Sequence, residues 1–343
     1  MMRFTALCTL GLTMAFQSAL GGPKPESWKE MVVEKLTPID RASVAGQGPQ
    51  PVIILAELGC DETAYADFAK RHADRFTTHT LVLPGAARDS KAPPLARGQI
   101  RDPEWLVNAV AAVVDYAKSR KIEKPVIIGQ GAGATVAYML VAREPEFAKG
   151  VVVINALPAA SVGGPGRIPM KESRAAEVDK LERANLVAMN QAAWIKRIEQ
   201  VIPLQTTDPK RALWLYEMQS KAPATSMRRY MLEPLYLDLR EDLDGTQTPV
   251  LVIGTLADWL RENDRLMLRA AFQNVAYNRP NVRLEIVEGA RSWLILDDPN
   301  RFDTVLCGFL GIEPPAPAPA AQSEPPKPTP TLPPAQPGEG EKK

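Results

Sequence analysis

One segment restricts the fold of this chain more than any other: a buried apolar run that ends in closely spaced glycines. It reads Pro125-Val-Ile-Ile-Gly-Gln-Gly-Ala-Gly-Ala-Thr-Val-Ala137. A short unbroken run of branched apolar residues is typical of a strand covered on both faces, as in a parallel sheet. The glycines permit a sharp turn and close packing, and residues 132–143 continue with helical spacing. The segment therefore predicts a strand, a tight turn and a helix.

The same alternation recurs along the chain. Apolar, β-branched runs predict further strands at 51–55, 78–83, 150–154, 249–253 and 282–287. Helical periodicity predicts helices at 63–75, 103–120, 262–277 and 299–310. Strands that alternate with helices favour an α/β fold with a doubly wound, mostly parallel sheet.

Residues 157–245 break this rhythm, because they are helical in pattern and contain no convincing strand. An insertion between two strands of a doubly wound sheet usually lies above the carboxyl edge of the strands, where ligands bind. We therefore predict a helical cap over 157–245, and we expect Trp194, Trp214, Met218 and Met227 to be packing residues of this cap rather than substrate contacts.

The N-terminus is typical of an export signal. Met1-Met2-Arg3 is followed by an apolar segment, 4–16, and by small residues up to Gly21. A bilayer span needs about 20 apolar residues, so this segment favours a cleaved signal over 1–21 and export to the periplasm or the exterior. After cleavage no stable membrane span is expected. An uncleaved anchor and lipid attachment at Cys8 are the alternatives.

The C-terminus, 313–343, consists mostly of Pro, Ala, Glu, Lys, Gln and Thr. Prolines remove backbone donors and hold the chain extended, and few apolar side chains remain to be buried. This composition predicts a disordered tail that is either an inert solvated segment or a site for a protein partner.

Charge and composition exclude several classes of function. The chain carries 41 basic and 40 acidic residues, a net charge of +1, and it has no basic cluster interleaved with aromatics. We therefore expect no nucleic-acid partner.

The sequence also lacks the residue spacings that are typical of a metal site or a cofactor site, so we predict neither a metal nor a cofactor. Cys60 and Cys307 are too few for a disulfide framework and are expected to be buried free thiols.

Several motifs together resemble the α/β-hydrolase superfamily. Residues 51–60, followed by Tyr65, Phe68 and Ala69, are similar to its third strand and first helix. Leu81–Gly85 is similar to the end of the next strand, and 125–137 to the strand–turn–helix that carries the nucleophile. Residues 151–155, 249–254 with Asp258, and 289–299 are similar to later strands and to the loops that deliver the acid and the histidine. The resemblance covers about 51–310. It implies a lead-in (22–50), a core in two parts (51–156 and 246–312) and the cap between them.

The catalytic positions depart from the family pattern. Gly131 stands where the central serine of Gly-x-Ser-x-Gly supplies the nucleophile. Ser292 stands at the histidine position, and Ala56-Glu57 replaces the family's His-Gly pair. Only the acid, Asp258, is retained. Glycine cannot form an acyl-enzyme, and a serine cannot accept and return a proton near neutral pH as imidazole does.

No other residue is expected to replace them. His72 and His79 are predicted to lie far from the carboxyl edge of the sheet, and Cys60 has no base to ionise its thiol. The predicted pocket beneath the cap contains Asp258, Ser292 and these further residues: Glu57, Leu58, Gln130, Ala132 and Arg291. The simpler alternative is that Asp258 and Glu57 only pair with arginines such as Arg261 and Arg291.

The sequence thus favours an exported, catalytically inactive pseudohydrolase that acts as a binding or scaffolding domain, with a small-molecule ligand beneath the cap as one expectation. The alternative is an active hydrolase of small esters that uses non-standard machinery around Asp258 or Glu57. A third hypothesis makes the folded domain a passive carrier of the proline-rich tail.

Overall fold

The computed structural model describes residues 27–86, 90 and 101–317. The predicted signal (1–21) and the tail from residue 318 onward lie outside the described residues, so both stay predictions.

A seven-stranded sheet forms the centre of the molecule, in the order β1-β3-β2-β4-β5-β6-β7. All neighbouring pairs are parallel except β1 and β3, which are antiparallel. The strands are β1 (Arg41–Ala45), β2 (Gln50–Leu55), β3 (Phe76–Val82), β4 (Val126–Gln130), β5 (Gly150–Ile154), β6 (Val250–Ala257) and β7 (Val282–Gly289). The predicted doubly wound, mostly parallel sheet is confirmed.

Helices cover the sheet because the apolar runs of its central strands are buried on both faces. The core helices are α1 (Ala66–Arg71), α2 (Glu104–Ser119), α3 (Ala132–Arg143), α10 (Glu262–Ala276), α11 (Leu294–Asp297) and α12 (Pro299–Leu310). Short 3-10 turns at Trp28–Glu30 and Glu62–Tyr65 complete this part of the fold.

The segment between β5 and β6 is helical. It contains α4 (Lys171–Val178), which continues through a π-helical turn (Asp179–Arg183) into α5 (Ala184–Val187), and then α6 (Gln191–Gln205), α7 (Pro209–Gln219), α8 (Ala224–Tyr236) and α9 (Arg240–Asp244). Its first and last stretches meet at one antiparallel bridge, Ala159 with Asp238. Trp194 and Met227 are buried, while Trp214 and Met218 are partly buried against the main core.

Three details differ from the sequence prediction. The edge strand β1 was not predicted, since none of its five residues is buried and they carry little apolar periodicity. The helix predicted at 63–75 is wrong in length: a 3-10 turn precedes a six-residue α1, which ends before His72. Strands β6 and β7 extend to Ala257 and Gly289, beyond their predicted ends.

No helix in the described part of the chain is both long and apolar enough to cross a bilayer.

Candidate functional site

The tight turn after β4 has the geometry that the glycine pattern predicts. Gly131 has φ 55° and ψ −121°, a conformation in which a residue with a side chain is strained. A Cβ on Gly129 would lie 2.5 Å from the carbonyl oxygen of Gly133, and one on Gly133 would lie 2.4 Å from that of Leu55. The outer two glycines are therefore required by close packing of α3 on β4 and β2.

The side chain of Glu57 fills the space that a nucleophile would occupy. An ideal Cβ on Gly131 would lie 2.1 Å from each carboxylate oxygen of Glu57 and 2.3 Å from its Cδ. These distances are far below van der Waals contact, so a serine at 131 and the Glu57 carboxylate cannot occupy this turn together. Gly131 and Glu57 are structurally complementary.

The Glu57 carboxylate accepts hydrogen bonds from two backbone amides. Leu58 N donates to Oε1 at 2.8 Å, and Ala132 N donates to the carboxylate as well. In hydrolases with a Gly-x-Ser-x-Gly turn, the oxyanion hole is formed by the amide after the nucleophile and by an amide of the loop after an adjacent strand. Ala132 and Leu58 hold these two positions, so Glu57 occupies the oxyanion hole of its own chain.

Burial determines the ionisation of this carboxyl group. Loss of hydration raises the pKa of Glu57 to about 7, although the hydrogen bonds from Leu58 and Ala132 favour the charged form. Among the described residues, Glu57 has no arginine partner. The predicted pairing of Glu57 with an arginine is therefore wrong: its partners are backbone amides.

The loop that carries Glu57 is fixed by buried partners. Glu57 N donates to Tyr65 Oη at 2.9 Å, and Cys60 N donates to the Glu57 carbonyl at 3.0 Å. Cys60 is fully buried and accepts a hydrogen bond from Gln219 Nε2 at 3.3 Å. Burial raises the pKa of the Cys60 thiol well above its usual range, and Cys307 is also a buried free thiol, as predicted.

Ser292, at the histidine position, is linked by hydrogen bonds to the tight turn at residues 129–133, which we call the elbow. Asn155 Nδ2 donates to Ser292 Oγ at 3.2 Å, and Gln130 Nε2 donates to the Ser292 carbonyl at 3.1 Å. Asn155 follows β5 with φ 52°. We did not predict a role for Asn155, although its position directly after a central strand was the signal for one. Nothing in this contact provides a base.

Asp258 follows β6 and pairs with Arg291. Arg291 Nε lies 3.3 Å from Asp258 Oδ1, while the Asp258 side chain is 60% exposed. The hydrogen bond from Arg291 lowers the pKa of Asp258. Of the two predicted arginine partners, Arg291 pairs with Asp258, whereas Arg261 pairs with Asp264 instead.

The loops of the acid and histidine positions also hold the C-terminal end of helix α6, which belongs to the segment predicted to be the cap. The last carbonyls of a helix lack partners within it. Here Arg291 Nη1 donates to the carbonyls of Pro203 and Thr206, each at 2.8 Å, and Trp259 Nε1 donates to that of Leu204 at 3.1 Å. We call these contacts, together with the bond from Trp293 N to the Gln205 carbonyl at 3.0 Å, the cap clamp.

Neither histidine contacts the elbow. His72 is fully buried, with Nε2 3.0 Å from Asp303 Oδ1, and its ring stacks on Phe76. His79 lies on β3, where Nδ1 is 3.2 Å from Tyr116 Oη. Both therefore have structural partners away from Gly131.

Three cavities in the described part of the chain have linings that include none of Glu57, Gly131, Asp258 and Ser292. One, of about 150 Å³, is lined by residues that include Gly59, Asp61, Trp214 and Met218. Another, of about 330 Å³, lies between Leu157, Ile168, Arg240 and α10. A third, of about 540 Å³, lies at the amino-terminal edge of the sheet beside Arg75 and Ile312.

Comparison with solved structures shows the same fold in three hydrolase-fold proteins of low identity. A hydrolase from Pseudomonas aeruginosa PA01 superimposes with a TM-score of 0.60 at 15% identity, covering 79% of this chain and 93% of that one. MenH from S. aureus gives 0.61 at 15% identity, covering 79% and 97%. The enol-lactonase from Burkholderia xenovorans LB400 gives 0.58 at 17% identity, covering 79% and 96%.

A search of curated proteins finds no match. The model of the Alpha/beta hydrolase family matches residues 58–304, which is most of the chain. The fold, the elbow and this match lead to one conclusion: the chain belongs to the α/β-hydrolase family.

Proposed function

We propose that this chain is an exported α/β-hydrolase-fold protein that binds a ligand or a partner and does not catalyse hydrolysis. The observation that carries the proposal is the Glu57 carboxylate, which fills the nucleophile's space and accepts hydrogen bonds from the two amides of the oxyanion hole. A substrate carbonyl cannot enter that hole while Glu57 occupies it, and Gly131 provides no attacking atom.

The residues at the acid and histidine positions support the same proposal. In a catalytic triad the acid orients the histidine, which carries the proton. Here Asp258 orients Arg291, and Arg291 donates to carbonyls of α6. These loops therefore stabilise the cap on the core and place no imidazole beside Gly131.

One observation favours a second candidate, an active hydrolase with Glu57 as general base. A buried carboxyl group with a pKa of about 7 has the ionisation of a base matched to neutral pH. In that case Glu57 would activate water without a covalent intermediate. Asp258 is less suited to this role, because it is exposed, paired with Arg291 and lowered in pKa.

Ester hydrolysis by two purified proteins tests the proposal. One is residues 22–343 unchanged, and the other carries Glu57→Gly, Gly131→Ser and Ser292→His together. The change at position 57 is needed because a serine at 131 collides with the Glu57 carboxylate. We expect background rates on short-chain p-nitrophenyl esters for the unchanged protein and measurable turnover for the triple variant. Turnover by the unchanged protein above background would overturn the proposal.

Export is a separate part of the proposal, supported by the charged start, the apolar segment and the small residues of 1–21. Expression of the full chain in a bacterium, followed by mass spectrometry of the mature protein, tests it. We expect loss of about the first 21 residues, whereas an intact N-terminus in the membrane fraction would indicate an uncleaved anchor.

A protein partner for the proline-rich tail is tested by deletion of 318–343, which abolishes partner binding only if the tail carries it.

A further inference from the structure

We propose that the amides of Leu58 and Ala132 form a preserved binding site for the carboxylate group of a ligand, and that the Glu57 side chain is an internal competitor for this site. This inference rests on the proposed function, since it names the ligand chemistry of the same non-catalytic site. It assigns Glu57 an autoinhibitory contact instead of a catalytic one.

The two donors are held in place independently of the Glu57 carboxylate. The main chain of Glu57 is anchored by its bonds to Tyr65 Oη and Cys60 N, and Tyr65 is itself buried. Ala132 N is fixed as the first residue of the 12-residue helix α3. Removal of the carboxylate therefore leaves both N–H groups where they are, unsatisfied and available to another acceptor.

The space beside these donors is shaped for a planar carboxylate. The Glu57 carboxylate lies directly against the bare backbone of Gly131, where no side chain can be accommodated with it. An external carboxylate can approach as closely only because position 131 is glycine. The same glycine that excludes a nucleophile thus creates room for an anion.

A second, independent feature indicates that the elbow takes a ligand. Gln130, one residue before Gly131, is 2% exposed, and its Oε1 has no donor in the part of the chain that the structure describes. Its Nε2 is already used by the Ser292 carbonyl. Buried acceptors are nearly always paired. An α-hydroxy acid combines a carboxylate, which Leu58 N and Ala132 N can bind, with a hydroxyl donor of the kind that Gln130 Oε1 lacks.

A substitution at position 57 controls whether the side chain places an oxygen acceptor in the site. Glu57→Ala empties the site, whereas Glu57→Gln keeps an amide oxygen that can accept from the same two N–H groups. The matched pair therefore separates occupation of the site from loss of charge. Glu57→Gly, which restores the family's residue at this position, is the second emptying variant if Glu57→Ala fails to fold.

The experiment is a titration with glycolate, followed by the backbone amide resonances of Leu58 and Ala132. Glycolamide, the neutral analogue, is the control ligand. We expect glycolate to bind the Glu57→Ala protein at least tenfold more tightly than the wild type or Glu57→Gln, with the largest shifts at these two amides. Glycolamide should bind at least tenfold more weakly than glycolate.

Equal affinity of Glu57→Ala and Glu57→Gln for glycolate, or shifts confined to other residues, would overturn the inference. Ester turnover by the wild type would instead overturn the proposed function, so the two failures are distinguishable. If neither turnover nor glycolate binding is seen, only the carboxylate site is refuted.

Discussion

The Glu57→Gln variant should change how the stability of the protein depends on pH. Burial raises the pKa of Glu57 from its ordinary 4.5 to about 7, so the folded state prefers the protonated carboxyl group. Between these two values the folded protein holds a proton that the unfolded chain has released. The wild type therefore loses stability as pH rises from about 4.5 to about 7, and the loss is complete above the folded pKa.

The expected size of this effect follows from the same shift. A rise in pKa from 4.5 to about 7 corresponds to about 3 kcal/mol in the free energy of unfolding, since one pH unit is worth about 1.4 kcal/mol. A glutamine at 57 keeps an oxygen for Leu58 N and Ala132 N but does not titrate. The difference in stability between wild type and variant should therefore shift by about 3 kcal/mol, in favour of the variant, between pH 4.5 and 8.

Urea unfolding of both proteins across this pH range measures the difference directly. Equal m-values for the two proteins establish that the unfolding transitions are comparable. Taking the difference cancels other titrating groups, including Glu233, whose pKa burial raises to about 8. Parallel pH profiles, or a difference that moves in favour of the wild type as pH rises, would refute the assignment of Glu57 as a buried, desolvated carboxyl group.

Three further predictions concern the elbow, the cap clamp and the core. Gly131→Ser alone should destabilise the fold by more than about 2 kcal/mol, because the backbone there is strained for a residue with a side chain and the new side chain collides with Glu57. The loss should shrink when Glu57→Gly is added. Additive effects in a double-mutant cycle would contradict the complementarity of the two positions. Arg291→Met should lower the free energy of unfolding by about 2 kcal/mol and speed amide hydrogen exchange around the end of α6. The control Arg261→Met, at a residue with an 88% exposed side chain, should change it by no more than about 0.5 kcal/mol. Equal effects of the two substitutions would mean that the clamp does not hold the cap. Asp303→Asn should lower the free energy of unfolding by about 3–5 kcal/mol at pH 7, because hydrogen bonds from His72 and Arg71 lower the pKa of this buried carboxyl group although burial alone would raise it. The advantage of the wild type in urea unfolding should fall only as pH drops below about 4. A cost under about 1 kcal/mol would exclude a buried ion pair there.

Much of the fold could be predicted from the sequence because local pattern and tertiary environment agree. The branched runs that form β4 and β5 are buried on both faces, and helix α3 begins and ends where the periodicity and the glycines place it. The edge strand β1 could not be predicted, because none of its residues is buried and the alternation of apolar and polar residues is weak. Its pairing with β3 is a property of the assembled sheet.

The candidate site was predictable as a set of positions but not as a set of contacts. The pattern identifies Gly131 and Ser292 as residues without the family's chemistry, because their types alone exclude it. That Glu57 turns back onto Leu58 and Ala132 depends on its rotamer and on the missing side chain at 131, which no spacing in the sequence encodes. The cap clamp likewise depends on where α6 ends in space relative to Arg291.

The Glu57-dependent rate of ester hydrolysis decides whether the Gly131 turn is catalytic. Turnover of p-nitrophenyl acetate is measured from pH 5 to 9 for the wild type and for Glu57→Gln, with buffer as the blank. We expect both proteins to match the blank at every pH. A wild-type rate that rises with a midpoint near pH 7 and disappears in Glu57→Gln would contradict it and identify Glu57 as a catalytic base.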